Sequence, residues 1–251
     1  MTEDQKKQDV PMAQNPILIM GSGDGLGLAI AKNLAENGRK LILTFHSNPE
    51  KVVELQQTFP DQILATLVLD VRSSESIQRF FLRVGELTEA LNAVINTVGP
   101  ILEKPLGKTE AEEFSSLIDT NLSQVFWTSR HALSFLRRDN HGRFIAFTFA
   151  GVEKFAAYTR IGTYAVAKAG LLSLIRSLAL EWVPYGVTVN AIAPGVIDLE
   201  NRDQSSYAST VPGGRLGRTD DIVHALRFLL STEADHITGQ NLTVSGGFGL
   251  K

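Results

Sequence analysis

Tyr164 and Lys168 are the residues whose types and spacing most directly suggest chemistry. They lie four residues apart near the start of a long helical pattern, so both side chains project from one helix face. A phenol titrates near pH ~10, and a fixed positive charge nearby stabilises the phenolate and lowers that pKa. The pair is therefore predicted to transfer protons near neutral pH, although the same spacing also occurs on ordinary helix surfaces.

A glycine-rich turn near the start of the chain supplies a second signal. Gly21, Gly25 and Gly27 follow the apolar run 17–20 and precede a helical pattern of apolar residues. Backbone N–H groups at such a helix start, together with the helix dipole, bind phosphate. The spacing is neither Gly-x-Gly-x-x-Gly nor a Walker loop. The turn predicts a binding site for an anionic phosphate group, with an ordinary strand-to-helix turn as the alternative.

Composition narrows the class of protein. The chain has 251 residues, of which 43% are hydrophobic and 20% charged, and its net charge is −3. These values are typical of one soluble α/β domain, and the chain lacks the excess of positive charge that would favour binding to nucleic acid. The chain has no cysteine, which excludes thiol chemistry and Cys-based zinc sites, and its five histidines lack metal-ligand spacing. We expect no metal.

The chain is expected to be cytoplasmic and free of membrane spans. It contains no run of about eighteen apolar residues. Residues 1–14 are polar, lack the apolar core of a signal peptide, and are predicted to form a flexible tail.

Strand and helix patterns alternate from residue 15 to residue 251. Mostly continuous apolar runs, as expected for strands buried on both faces, mark seven strand candidates. These are 16–20, 40–45, 63–69, 91–97, 143–149, 187–193 and 241–245. The pattern predicts a single doubly wound, Rossmann-like parallel sheet with helices on both faces and ligand at the carboxyl ends of the strands.

Helix starts are marked by capping residues. Ser73 or Ser74 is predicted to begin one helix, and Thr109 with Glu112 forms a capping-box pattern before a helix that extends to about Arg137.

Taken together, these motifs resemble the short-chain dehydrogenase/reductase family over nearly the whole chain. The matching segments are the glycine turn, Asp70-Val71, Asn96-Thr97-Val98-Gly99, Asn121, Tyr164 with Lys168, Pro194-Gly195-Val196-Ile197, and the tail from Ile237 to Gly247. Met20 departs from the pattern because a threonine is usual there, and Thr97 and Val98 replace an asparagine and an alanine.

The resemblance implies an NAD(P)-dependent enzyme that transfers hydride between nicotinamide and a carbonyl or alcohol. Tyr164 would be the general acid or base, Lys168 would lower the pKa of Tyr164 and hold the ribose, and Asn121 would support a water-mediated proton relay. The residues implied in coenzyme binding are Gly21, Ser22, Asp24, Gly25, Leu26, Gly27, His46, Ser47, Asp70, Val71, Asn96, Thr97, Gly99, Tyr164, Lys168, Pro194, Gly195 and Ile197.

The family's substrate-binding serine is missing. Counting back about thirteen residues from Tyr164 gives Gly151, whereas alignment through the preceding strand gives Phe149 and requires a short insertion at 150–162. Thr148 is the nearest hydroxyl and is predicted to replace the serine, unless strand alternation turns it away. Tyr158 is a second candidate.

NADP(H) is favoured over NAD(H). NAD-preferring relatives carry an acidic residue after the second strand, but this chain has His46 and Ser47 there and no carboxylate until Glu50. Asp24 opposes this preference because it occupies a position where NADP-binding relatives often have Arg or Lys.

The substrate and the assembly follow less directly. The short polar segment 198–214 is predicted to be a substrate lid. It resembles 3-oxoacyl-carrier-protein reductases, with a 3-oxoacyl thioester or small ketone as substrate, and also pteridine reductase-like members. A non-catalytic NADP-binding sensor is a further alternative. Residues 126–135 and 171–180 match helices that pair in the family's homotetramers and homodimers.

Overall fold

The chain builds one parallel sheet of seven strands. The computed structural model describes residues 15–154, 156–199 and 205–250. The strands are β1 (Ile17–Met20), β2 (Leu41–Phe45), β3 (Ile63–Val68), β4 (Ala93–Asn96), β5 (Arg143–Phe147), β6 (Thr188–Pro194) and β7 (Asn241–Val244). Their order is β3-β2-β1-β4-β5-β6-β7, and every neighbouring pair is parallel. The predicted Rossmann-like sheet is confirmed.

The order reverses between β1 and β4, which places a crevice at the carboxyl ends of these two strands. The seven helices of the described part are α1 (Gly25–Glu36), α2 (Glu50–Thr58), α3 (Ser74–Leu87), α4 (Ala111–Ile118), α5 (Gln124–Leu136), α6 (Gly162–Trp182) and α7 (Thr219–Leu230).

Two apolar layers, one on each face of the sheet, hold the helices. On one face α3, α5 and α6 bury residues such as Phe81, Phe144 and Trp182. On the other face α1, α2 and α7 pack residues such as Ile30, Leu55 and Leu226 against the strands. Because both faces are covered, central strands such as β1 and β4 are buried at every position.

One predicted helix is interrupted, and its start is displaced by one residue. Glu110, not Thr109, is the N-cap of α4, and Glu113 completes the capping box. A π-helical turn, Asp119–Ser123, separates α4 from α5 where the sequence predicts one continuous helix. The apolar periodicity runs through the turn, so the pattern alone gave no sign of it. Ser73 is confirmed as the N-cap of α3 because its hydroxyl accepts from the N–H of Ser76.

Over Gly162–Tyr185 the helix that carries Tyr164 is long and apolar enough to cross a membrane, by length and composition only. Half of its most apolar stretch is buried inside the fold, as expected for a core helix packed on a sheet. Residues 1–14 and 200–204, which include the predicted tail and part of the predicted lid, lie outside the described residues.

Candidate active site

Tyr164 and Lys168 lie one turn apart near the start of α6, at the carboxyl end of β5. The ammonium of Lys168 lies 5.5 Å from the centre of the Tyr164 ring and donates a hydrogen bond of 2.7 Å to the carbonyl of Phe147. Lys168 is only 2% exposed, and this desolvation lowers its pKa to about 7. The lysine can therefore gain or lose a proton near neutral pH.

Asn121 lies in the π-helical turn and faces the same lysine. Its amide nitrogen donates to the carbonyls of Pro100 and Leu117, both at 3.1 Å. Its Oδ1 is buried without a hydrogen-bond partner. A Cβ added to Gly99 would lie 2.6 Å from the Lys168 Nζ and 2.7 Å from this Oδ1. Both polar atoms therefore border the space beside Gly99, and an acceptor with no donor there calls for a ligand or a water.

The glycine turn is fixed by contacts with β2 and β4. The N–H of Gly21 donates to the Thr44 hydroxyl at 3.1 Å, and the N–H of Ser22 donates to the Thr44 carbonyl at 2.8 Å. The Ser22 hydroxyl donates to the Ile19 carbonyl at 2.9 Å, so this side chain shapes the turn itself. A Cβ on Gly27 would lie 2.1 Å from the Gly21 carbonyl oxygen, which shows how closely α1 approaches the turn.

Asn96 and Thr97 hold the neighbouring loop after β4. Asn96 exchanges amide hydrogen bonds with Gln124 at 2.8 and 3.2 Å, and its Oδ1 accepts from the Val98 N–H. The Thr97 hydroxyl lies 2.8 Å from the carbonyl oxygen of Met20. Gln124 was not predicted, because a glutamine at a helix start carries no distinguishing sequence signal.

Two cavities adjoin the glycine turn, one on each side of this loop. The first, of about 300 Å³, is lined by Gly21, His46, Asp70, Val71, Arg72, Val98 and Pro100, among others. The second, of about 430 Å³, is lined by residues that include Leu26, Thr97, Gly99, Tyr164, Lys168, Pro194, Gly195 and Ile197. Successive loop residues thus face alternate cavities, and the structure brings most of the predicted coenzyme residues to their walls.

The first cavity contains an ion pair that the sequence did not reveal. Asp70 accepts two side-chain hydrogen bonds from Arg72, at 2.8 and 2.9 Å. These bonds lower the pKa of Asp70 to about 2. The imidazole of His46 lies 3.8 Å from the same carboxylate, so two basic side chains meet at Asp70. Ser47 is exposed next to His46.

The second cavity contains Phe149 and Thr148, two of the residues considered for the place of the missing serine. The Phe149 ring lines the cavity and lies 5.6 Å from each of the Tyr164 and Tyr158 rings. Thr148 also lines it, but its hydroxyl lies 2.6 Å from Asn241 Oδ1. Tyr158 Oη lies 3.4 Å from the carbonyl of Gly151. Thr148 and Tyr158 therefore stay predictions as substrate donors, and each already has a partner.

Several residues that line this cavity lie in segments that the sequence motifs did not predict to reach it. Ile101 and Ile161 contribute from two loops, and Phe248 contributes from the C-terminal segment. Of the predicted lid, Leu199 and Tyr207 reach the cavity. Arg160 and Glu103 also line it, with 3.9 Å between their charged groups. These contacts depend on the path of distant loops, which local patterns do not encode.

No cluster of three or more potential metal-ligating side chains is found in residues 15–154, 156–199 and 205–250. The polar side chains that line the two cavities are hydroxyls, His46, Lys168 and the charged groups of Asp70, Arg72, Glu103 and Arg160.

Comparisons with known proteins agree with this geometry. The family described as Enoyl-(Acyl carrier protein) reductase matches residues 21–249. The chain is 34% identical to 3-oxoacyl-[acyl-carrier-protein] reductase FabG of Escherichia coli, over 92% of this chain and 95% of the relative. It is 28% identical to the reductase MabA of Mycobacterium bovis, over 96% and 95%.

Solved structures show the same fold. A putative gluconate dehydrogenase from Agrobacterium tumefaciens superimposes with a TM-score of 0.85 and 28% identity, over 94% of this chain and 96% of that one. The acetoin dehydrogenase YohF from Salmonella typhimurium gives a TM-score of 0.82 and 25% identity, over 95% and 97%. The chain belongs to the short-chain dehydrogenase/reductase family, and it is a nicotinamide-dependent oxidoreductase.

The residues present fit such a coenzyme. The start of α1 has no acidic residue in its first turn, so its dipole and N–H groups can receive phosphate. The two cavities that adjoin the glycine turn can hold the two halves of a dinucleotide. The unpartnered Asn121 Oδ1 and the buried Lys168 face the space beside Gly99.

Proposed function

We propose that the protein is an NADPH-dependent carbonyl reductase acting on a 3-oxoacyl thioester or a small ketone. The observation that carries this proposal is the convergence of Tyr164 and Lys168 at one cavity beside the glycine turn, with the buried, unpartnered Oδ1 of Asn121 bordering the same space beside Gly99 as Lys168. Relatives named as 3-oxoacyl-[acyl-carrier-protein] reductases support the substrate class.

The coenzyme's adenosine half would lie in the cavity of His46, Asp70 and Val71, and its nicotinamide half in that of Tyr164. Gly25 would leave room for the phosphates, and the N–H groups of Asp24 and Leu26 would face them. Gly21 and Gly27 would allow the close packing of the turn against α1 and the loop after β4, and Ser22 would shape the turn. Thr97, Asn96 and Gly99 would shape the passage between the halves. Pro194, Gly195 and Ile197 would form the wall beside the nicotinamide.

The bound coenzyme supplies hydride to the carbonyl carbon, and the protein supplies the proton. Tyr164 Oη donates its proton to the carbonyl oxygen as the C–O π electrons move onto that oxygen, giving the alcohol. The Lys168 ammonium stabilises the resulting phenolate through its charge. A water between Lys168 Nζ and Asn121 Oδ1 would return a proton towards Tyr164. In the oxidative direction Tyr164 accepts the proton.

NADPH is supported by the charges at the adenosine end. β2 ends without a carboxylate, and residues 46–48 are His, Ser and Asn. His46 and Arg72 line the cavity. Asp24 is paired with Lys51 at 2.6 Å, so its charge is largely neutralised and opposes a 2′-phosphate less than the sequence alone suggests.

The apolar walls of the second cavity indicate which kind of substrate would fit it. Phe149, Ile101, Ile161, Leu199 and Phe248 present an apolar surface near Tyr164. Such a surface suits the alkyl part of an acyl chain or a small ketone. Phe149 replaces a hydrogen-bond donor, so Tyr164 is the principal donor to the reacting oxygen.

The proposal is tested by turnover with purified protein. We expect NADPH oxidation with acetoacetyl thioesters or small ketones, and a loss of about 10²- to 10⁴-fold in kcat for Tyr164→Phe, because that variant keeps the ring but not the transferable proton. NADPH affinity, followed by protein fluorescence, should change less than about threefold, since one hydroxyl contributes little to a large interface.

Thr148→Val is the matched variant for the second hydroxyl. We expect kcat to fall less than about threefold, because the Thr148 proton is already committed to Asn241. A loss of about 10²- to 10³-fold would instead establish Thr148 as the substitute for the serine. Turnover confined to pterins would favour the pteridine reductase alternative. Tight NADPH binding with no turnover by wild type on any substrate would favour the sensor and refute the reductase.

We also propose a cytoplasmic homotetramer or homodimer. Support comes from exposed apolar side chains on α4, α5 and α6, namely Phe114, Phe126, Val166 and Leu180.

A further inference from the structure

The glycine turn and the turn after β2 face each other at the position that selects between nicotinamide coenzymes. A Cβ added to Gly23 would lie 3.4 Å from the Cβ of Phe45 and 3.6 Å from the Asn48 carbonyl oxygen. The two turns are therefore in contact where an adenosine ribose would present its 2′ substituent.

An ion pair spans these two turns. Lys51 Nζ lies 2.6 Å from Asp24 Oδ1, and the two side chains are 45% and 56% exposed. Asp24 is the N-cap residue of α1, but its side chain makes no capping hydrogen bond. An aspartate at this position normally caps the helix, and here its carboxylate instead holds a lysine from α2.

This contact explains the charge pattern of the site. An uncompensated carboxylate at Asp24 would repel a 2′-phosphate. With Lys51 against it, the pair has no net charge, and its ammonium is the group that can face a 2′-phosphate. An ammonium has three N–H donors, so Lys51 can keep its bond to Asp24 and still donate to a phosphate oxygen.

We propose that Lys51 is the residue that recognises the 2′-phosphate of NADPH, and that Asp24 positions it. The cation that many relatives place in the glycine turn is supplied here from the first turn of α2. This inference rests on the proposed preference for NADPH and assigns that preference to one side chain, with His46 as a second contact.

The test compares ligands that differ only in the 2′-phosphate. Binding of 2′,5′-ADP and 5′-AMP, and of NADPH and NADH, is measured by calorimetry or fluorescence without substrate, so that the readout is independent of turnover. We expect Lys51→Gln to weaken 2′,5′-ADP and NADPH about 10- to 100-fold, the range of one charge-assisted hydrogen bond. Affinity for 5′-AMP and NADH should stay within about threefold.

Two further variants control the result. Lys51→Arg keeps the cation and should retain most of the preference for the 2′-phosphate. Lys32→Gln removes an exposed lysine of α1 and should leave the affinity for all four ligands unchanged.

The outcomes separate this inference from the coenzyme proposal. If wild type binds NADH at least as tightly as NADPH, the proposed coenzyme is wrong. If wild type prefers NADPH and Lys51→Gln keeps the full preference, only the role of Lys51 is wrong. If Asp24→Asn selectively weakens NADH in a wild type that favours NADPH, Asp24 binds a ribose hydroxyl directly and its positioning role is refuted.

Discussion

At the level of single residues, the proposed role of Lys168 requires a charge, whereas its buried position disfavours that charge. In the proposed mechanism it carries a positive charge that acidifies Tyr164, yet it is buried and donates a hydrogen bond to the carbonyl of Phe147. Burial disfavours the charged form, which lowers the pKa of Lys168 to about 7. The buried positive charge of Lys168 therefore destabilises the folded protein.

Replacing Lys168 with methionine is expected to stabilise the coenzyme-free protein at pH 7. The unfolded lysine has a pKa near ~10.4, so between pH 7 and about 10 the unfolded chain binds more protons than the folded one. Wild-type stability therefore rises with pH across this window. Below pH 7 the full loss of stability caused by burying the charged lysine is present. The Tm of Lys168→Met should exceed that of wild type at pH 7 by several degrees, and the gap should shrink towards pH 10.

Differential scanning calorimetry at several pH values measures this gap. Lys32→Met, at an exposed position, is the control and should show a constant difference from wild type. A Lys168→Met difference that does not vary between pH 7 and 10 would contradict the depressed pKa.

At the scale of the element, two irregular turns place the active groups. The π-helical turn between α4 and α5 widens the helix by one residue and lets Asn121 face Gly99 and Lys168. The glycine turn brings α1 so close to the end of β1 that a side chain at Gly27 has no room. Both turns are local departures from regular structure at the site of function.

Gly27→Ala tests the close approach of α1. The added Cβ would lie 2.1 Å from the Gly21 carbonyl oxygen and 2.6 Å from the Thr97 hydroxyl oxygen, so the backbone must shift. We expect a loss of about 1–3 kcal/mol in the free energy of unfolding and a clear loss of NADPH affinity. Urea titration and fluorescence binding measure the two effects.

Gly107→Ala is the matched glycine variant. No atom lies within 4 Å of its added Cβ, so stability should change by less than about 0.5 kcal/mol. A Gly27→Ala loss as small as that expected for Gly107→Ala would mean that the glycine turn tolerates a side chain and would contradict the close packing of α1.

At the scale of the whole molecule, the outer surfaces of α5 and α6 carry exposed apolar side chains. α6 exposes Leu180, which is 80% accessible, and α5 exposes Phe126. Exposed apolar side chains on neighbouring helices are typical of a surface that a second copy covers. The core helix α6 therefore has an inner face on the sheet and an outer face available for assembly.

Leu180→Glu is expected to shift the protein to a smaller assembly, because a carboxylate would be buried at the subunit contact. Sedimentation velocity or light scattering measures the mass. Leu82→Glu is the control, since Leu82 is also exposed but lies on α3. An unchanged mass for Leu180→Glu, or the same shift for both variants, would exclude this face as the interface.

Regular structure was largely predictable, and the irregular turns were not. Apolar runs placed all seven strands within about two residues. For the central strands the reason is that a strand buried on both faces is apolar throughout, whereas the edge strands β3 and β7 are only partly buried. The N-cap Ser73 was found because a hydroxyl at a helix start bonds a local N–H. The π-helical turn and the Asp70–Arg72 pair left no periodic trace, so they were missed.

By itself the sequence determined the family, the parallel sheet, the glycine turn and the Tyr164–Lys168 pair, because these depend on residues close together in the chain. Only the tertiary structure decided which distant groups meet. It placed Asn121 and Lys168 beside Gly99 and paired Lys51 with Asp24. It also hydrogen-bonded the Thr148 hydroxyl to Asn241 and placed Phe248 in the wall of the cavity that contains Tyr164. These contacts join segments that are far apart in sequence, and their distances depend on how helices and loops pack on the completed sheet.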